Sequence, residues 1–116
     1  TQPHAPKNLC GYFVALLGIE EVHLLNLAVH PQHQHKGCAR LLLQHLCNHA
    51  RQHQAQHLWL EVRQSNTRTC NIYSRFGFQT IAIRKNYYPT PTGEREHAIV
   101  MCMNLALAMT TKQPSL

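Results

Sequence analysis

The stretch Leu27-Ala28-Val29-His30-Pro31-Gln32-His33-Gln34-His35-Lys36-Gly37-Cys38-Ala39-Arg40 decides the fold. Upstream of it the apolar residues come in short runs, Tyr12 to Leu17 between two glycines and Val22 to Val29. Runs of that length read as strands, and Gly18-Ile19-Glu20-Glu21 between them reads as the turn of an antiparallel hairpin. His30-Pro31 ends the second strand, because proline has no N–H to give to a ladder. Beyond Gly37 the period changes. Ala39, Leu42, Leu43, Leu46 and Ala50 share one face of a helix expected from Cys38 to about Gln54.

A strand that enters a loop and leaves through small residues into a helix is a chemical feature as well as a structural one. The first N–H groups of a helix lack internal partners, and the aligned peptide dipoles add partial positive charge there. Such an end suits a pyrophosphate. Lys36 and Arg40 add charge, and Gly37 lets a ligand approach the backbone. By itself the pattern is equally that of a plain strand-to-helix turn.

Downstream, Leu58 to Val62 is a third strand. Ser65 or Asn66 caps a second helix that carries Ile72 and Phe76 and ends at Gly77. Phe78 to Ile83 reads as a strand, Asn86 to Glu96 as a turn-rich loop with Pro89, Pro91 and Gly93, and Ala98 to Leu105 as the last strand. The order β-β-α-β-α-β-β predicts a mixed α/β sheet flanked by helices, with a parallel pair in its middle. Residues 1–10 read as a loose lead-in, 11–105 as the domain and 106–116 as a loose tail.

The chain has 116 residues, enough for one domain with a modest core. Eleven Lys and Arg residues stand against five Glu and no Asp, a balance that favours an anionic partner such as a nucleotide, coenzyme A or RNA. The basic residues are scattered, so no nucleic-acid-binding arm is expected. No apolar run reaches the length of a membrane span, and Thr1-Gln2-Pro3-His4 does not open a signal peptide. The five cysteines form no C-x-x-C pair and read as reduced thiols of a cytoplasmic protein. His45, His49, His53 and His57 recur at helical ligand spacing. No cysteine or carboxylate completes a set with them, so they read as a solvated helix face and no metal is expected.

Glu61 is an acidic residue in an otherwise apolar strand. It needs a partner or a task, or else it faces solvent or pairs with Arg63. Tyr73 lies two helical turns after Asn66, with Cys70 between them. It reads as a packing aromatic or a functional phenol, and Asn66 as a helix cap.

Gln34-x-x-Gly37-x-Ala39 resembles the Q/R-x-x-G-x-G/A acetyl-CoA signature of the GNAT superfamily, and it follows a strand ending Ala28-Val29-x-Pro31 as it does there. The resemblance runs from about Gly11 to Leu105. Leu58-Trp59-Leu60-Glu61-Val62-Arg63, Ser65-Asn66, Tyr73, Phe76-Gly77-Phe78 and Arg84-x-Asn86-Tyr87-Tyr88-Pro89 look like the ribosomal-protein-alanine N-acetyltransferase branch. Cys38 and Ala39 depart from the Leu and Gly usual in that branch.

The resemblance implies a GNAT fold, N-terminally shortened, and acetyl transfer from acetyl-CoA to the N-terminal α-amine, that of alanine, of a small-subunit ribosomal protein. Gln34, His35, Lys36, Gly37, Cys38, Ala39 and Arg40 would hold the pyrophosphate, and Asn66 would contact the coenzyme. The strands Val22–Val29 and Leu58–Val62 would splay to admit pantetheine. A backbone N–H from Leu27, Ala28 or Val29 would polarise the thioester. Glu61 would be the base and Tyr73 the acid, with Tyr87-Tyr88 a lip of the acceptor entrance or a packed loop. The family's first strand, two helices and next strand have no counterpart here, so a fragment of a longer enzyme is expected, with self-association through its uncovered face. Acceptors such as lysine or a small amine, or a non-catalytic acyl-CoA-binding module, are the alternatives. An RNA-binding domain is a weaker one.

Overall fold

Two apolar runs and a tight reversal build the first hairpin. In the computed structural model, which describes residues 10–33 and 37–105, β1 (Gly11–Leu17) pairs antiparallel with β2 (Glu21–Val29). Glu20, in the left-handed region at φ 61°, makes the reversal, and Gly18 N–H donates to Glu21 O at 2.8 Å. A short 3-10 turn (Pro31–His33) leads on to α1 (Cys38–Gln52), β3 (His57–Arg63), α2 (Thr67–Phe76), β4 (Gln79–Pro89) and β5 (Arg95–Asn104). The predicted element order therefore holds.

The sheet order is β1-β2-β3-β5-β4, with β2 and β3 parallel and every other pair antiparallel. Both helices cover one face. Leu43, Leu46 and Ala50 of α1 and Tyr73 of α2 join Val22, Leu24, Leu58, Leu60, Val62, Met101 and Met103 in one core. Strict alternation along β3 sends His57, Trp59, Glu61 and Arg63 to the opposite face. There Tyr12, Val14 and Leu16 of β1 and Leu25 of β2 remain exposed.

The β1–β2 register contains one irregularity with large consequences. Val14 and Ala15 are consecutive on β1, but their partners are Asn26 and Leu24, so Leu25 is an extra residue on β2. A bulge of this kind bends its strand and shifts the side-chain alternation by one. Val22 and Leu24 point into the core before it; Leu27 and Val29 point to the helix side after it. The parallel ladder runs from Glu21↔His57 to Leu24↔Leu60 and goes no further. The two central strands thus part at the bulge.

Three sequence-based expectations change. The segment expected as a turn-rich loop from Asn86 is strand as far as Pro89, and β5 begins at Arg95, leaving Thr90 to Glu94 as the turn. Pro89 is tolerated because β4 is an edge strand. The first helix ends at Gln52, so His57 is in β3 and does not extend the helical histidine row. Cys10 and Cys38 are not reduced thiols: they form a disulfide across a Cα–Cα distance of 6.2 Å, while Cys47, Cys70 and Cys102 are free. Their separation of 28 residues hides the pairing, which exists only because β1 starts beside α1. A Cβ at Gly11 would strike Ala28 O and come within 2.9 Å of Leu42 Cδ1, so only glycine permits that approach. His30 N–H donates to Cys10 O at 2.6 Å and fixes the same corner. The lead-in up to residue 9 and the tail from 106 lie outside the described residues.

Closing a loop of 28 residues is worth about 3–4 kcal/mol in the chain-entropy model. Alkylation of the unfolded protein without reductant is expected to label three cysteines, and five after dithiothreitol. Reduction is expected to lower the Tm. Five labelled cysteines before reduction would exclude the bond.

Candidate functional site

The start of α1 has a geometry that suits an anion. Gly37 occupies the N-cap position at φ 80°, a conformation that costs other residues about 1 kcal/mol or more. It offers no side-chain cap, and the first turn of the helix holds no acidic residue. A Cβ placed at Gly37 would meet nothing within 4 Å, so the space before the helix is open. Glycine is required here by its backbone angle, with no packing neighbour involved. Gln34, His35 and Lys36, expected to share this role, lie outside the described residues.

From this end a cleft of about 1070 Å³ runs between α1 and α2 and over the end of β2. Of the residues expected to hold the coenzyme, Leu27, Val29, Gly37, Cys38, Ala39, Arg40 and Asn66 line it; Ala28, of opposite parity, does not. Tyr73 lines it too. Arg40, Arg51, Arg68 and Arg75 line it as well, and no carboxylate does. Arg51 and Arg75, unremarked in the sequence, come from the last turns of their helices. Their signal was an arginine at the helix end on the stripe facing the other helix. The buried Nε of Arg51 has no hydrogen-bond partner, an arrangement that costs about 1–3 kcal/mol until an acceptor arrives.

Asn66 is the residue that caps α2: its Oδ1 accepts from Thr69 N–H at 3.3 Å. Ser65 does not cap; its N–H donates to Glu96 at 3.1 Å. Tyr73 is buried, with its ring edge-on to Phe78 at 5.5 Å. Burial, and then the neighbouring Cys70 thiol, push its hydroxyl up to about 12, so it keeps its proton throughout the neutral range.

Glu61 lies elsewhere. It faces a smaller cleft of about 380 Å³ on the uncovered side of the sheet, with His23, Leu24, Leu25, Trp59, Leu60, Arg84, Tyr88 and Val100. Its partner is Arg84, whose Nη1 donates to Oε2 at 2.6 Å. Arg63 instead bonds Pro89 O at 3.0 Å and Glu96 at 3.2 Å and lies over the Tyr88 ring at 4.4 Å. Tyr87 and Tyr88 pack edge-to-face at 5.0 Å, and Arg84 lies over Tyr87 at 4.6 Å. Burial raises the Tyr88 hydroxyl, and the Glu61 carboxylate adds to the effect. Trp59 Nε1 is buried here without a partner.

Glu61 and Tyr73 therefore stand on opposite faces of the sheet, in two clefts. The residues of β2 on either side of the Leu25 bulge line one cleft each, Leu24 and Leu25 the smaller, Leu27 and Val29 the larger. β2 and β3 part between these two sets of residues. His45, His49 and His53 are exposed on α1, and no group of three metal-ligating side chains occurs among the described residues. Nor is any helix among them long and apolar enough to cross a membrane.

Comparison with known proteins bears on this geometry. The model of the Acetyltransferase (GNAT) family matches residues 5–78. The [ribosomal protein bS18]-alanine N-acetyltransferase of Haemophilus ducreyi is 44% identical over 98 residues, covering 84% of this chain and 68% of that protein. The crystal structure of the ribosomal-protein-S18-alanine N-acetyltransferase from Escherichia coli superposes with a TM-score of 0.77 at 36% identity, covering 88% of this chain and 65% of that one. A streptothricin acetyltransferase from Streptomyces lavendulae is 37% identical over 78 residues, 67% of this chain and 41% of that protein. The chain thus spans about two thirds of the length of the ribosomal-protein acetyltransferases it matches. The family match, this identity and the shared fold all agree: the chain belongs to the GNAT family of acetyltransferases, which use acetyl-CoA.

Proposed function

We propose that this chain forms the acetyl-CoA site and part of the acceptor site of an N-acetyltransferase whose acceptor is the N-terminal α-amine, alanine, of a small-subunit ribosomal protein. The observation that carries the reading is the parting of β2 from β3 at Leu25 between a cationic cleft and a cleft holding a carboxylate. The bS18-alanine acetyltransferases among its relatives support the choice of acceptor.

The residues fit an acyl-coenzyme A. The uncapped N-terminus of α1 and Arg40 suit the pyrophosphate, and Asn66 borders the same cleft. Past Leu24, the β3-facing edge of β2 has no strand to pair with, so an N–H among Leu27, Ala28 and Val29 is available to polarise a thioester carbonyl as charge develops on its oxygen. Holding donor and acceptor on the two sides of one gap supplies proximity.

In the transfer, the amine nitrogen bonds to the acetyl carbon, the carbon–sulfur bond breaks, and a proton leaves the nitrogen. A peptide α-amine has a pKa of about 7.7–8.0, so much of it is ammonium at neutral pH, and Glu61 takes the proton directly or through water. The leaving thiol has a pKa of about 8.5. The Tyr73 hydroxyl, held at about 12, is the weaker acid, so Tyr73 stabilises the departing thiolate mainly by donating a hydrogen bond. Its contribution is accordingly smaller than that of the base.

Acetyl-CoA at 100 times its Kd is expected to stabilise the wild-type chain by about 2.7 kcal/mol, read as a rise in Tm. Gly37→Glu strains the backbone and places an anion before α1, and its Tm is expected not to respond. Equal shifts in both proteins would remove the anion site from α1.

With a peptide beginning with free alanine, Glu61→Gln is expected to lower kcat about 100-fold or more and Tyr73→Phe about tenfold or more. Acetyl-CoA affinity should hold in both. Mass spectrometry is expected to place the acetyl group on the α-amine; acetyl found on an internal lysine of a blocked peptide would select the alternative acceptor. Near-normal kcat in both variants would make the two residues structural and direct attention to His23, whose Nε2 lies 3.1 Å from Glu21.

A further inference from the structure

The β4–β5 edge holds an arrangement that neither stability nor coenzyme binding explains. Between Arg84↔Ala98 and Tyr88↔Glu96, β4 advances four residues while β5 advances two. The surplus is absorbed at Asn86, whose φ is 55°. Asparagine tolerates that region better than most residues, but the conformation persists only where its surroundings hold it. Here they do. Asn86 N–H donates to His97 Nδ1 at 3.0 Å, and Arg95 donates from Nε to Asn86 O and from Nη2 to Tyr87 O, each at 2.8 Å. Three hydrogen bonds from β5 therefore fix a bulge in an edge strand.

What the bulge fixes is the segment that presents Arg84 and Tyr87. The Arg84 guanidinium lies 4.6 Å over the Tyr87 ring and reaches across to β3, where it meets the Glu61 carboxylate at 2.6 Å. The Arg84 side chain is 53% exposed and Glu61 31%. An exposed pair of that kind contributes about 0–1 kcal/mol to stability, less than the cost of building a strained bulge around it. The same contact does set the direction of a carboxylate that otherwise has only apolar and aromatic neighbours in its cleft, apart from His23.

We propose that Arg84 is a positioning residue for acetyl transfer: the bulge at Asn86 and the Tyr87 ring hold its guanidinium so that it orients the Glu61 carboxylate toward the opening between β2 and β3. The inference rests on the reading of Glu61 as the base. It predicts that Arg84 matters only through Glu61. A misplacement of about 1 Å costs on the order of 100-fold in rate, which sets the size of the effect.

The test is a double-mutant cycle on the purified chain, with acetyl-CoA and an alanine-initiated peptide. Arg84→Met is expected to lower kcat about 100-fold in the wild-type background and to have no further effect on Glu61→Gln. The KM for acetyl-CoA should stay unchanged, since Arg84 is absent from the larger cleft. Arg84→Lys, which keeps the charge, should recover most of the rate, and it carries the same comparison if the methionine variant folds poorly. Equal losses in both backgrounds, unchanged kcat in Arg84→Met, or a faster Arg84→Met enzyme in which the guanidinium had been obstructing the carboxylate would each overturn the proposal. If Glu61→Gln itself keeps full activity, it is the base assignment that fails, a result distinct from the other three.

Discussion

One surplus residue, Leu25, organises the molecule. Without it β2 would continue beside β3 as a closed parallel pair, and Leu27 and Val29 would turn to the uncovered face. With it the strands part after four paired residues, and Leu27 and Val29 stay on the helix side together with Val22 and Leu24. A closed sheet separates its faces completely, since every central strand is hydrogen-bonded on both edges. Parting two strands gives up ladder bonds and leaves backbone groups without partners, a cost that makes sense only where something else uses the gap. Right-handed crossovers put both helices on one side and leave the other face of the sheet bare.

Charge is divided between the faces in a way that net charge does not reveal. The five carboxylates all lie outside the larger cleft: Glu61 binds Arg84, Glu96 binds Arg63, Glu21 is beside His23, and Glu20 and Glu94 sit in exposed turns. The cleft keeps four arginines and a helix start without a side-chain cap, with no carboxylate in its lining. On the other face, arginines are spent in structure. Arg63 of β3 and Arg95 of β5 hold β4 through the carbonyls of Pro89, Asn86 and Tyr87, Arg63 also over the Tyr88 ring, and Arg84 reaches from β4 to Glu61. The same residue type thus lines an open cleft on one side of the sheet and fastens an edge strand on the other.

Much was legible in the chain itself, for identifiable reasons. The hairpin, the two helices, the third strand and the caps at Asn66 and Gly77 depend on local chemistry: period, proline, glycine and side-chain oxygen. The glycine at the start of α1 was legible from consecutive residues, and it proves to be needed for a φ of 80°. The segment from Asn86 misled, since asparagine and prolines signal turns locally. An edge strand accepts both when its neighbour holds it, and only the pairing with β5 decides. The cysteines misled for a related reason: no spacing rule joins residues 28 apart, and the contact follows from Gly11 letting β1 lie against Ala28 and Leu42.

By itself the sequence determined the order of the elements, the face of α1 that enters the core, the helix start that opens on Gly37, and the identity of Glu61 and Tyr73 as groups needing an explanation. The tertiary structure decided where those groups lie. Glu61 faces a cleft opposite the one Tyr73 lines, its partner is Arg84 from a distant strand, and β2 leaves β3 at a bulge that shows in no local pattern. Periodicity, caps and turn residues are properties of neighbours in the chain, set by dihedral preferences and a few hydrogen bonds. Register, bulges and cross-strand ion pairs are properties of neighbours in space, fixed only when β2, β3, β4 and β5 compete for the same hydrogen bonds and the same buried surface.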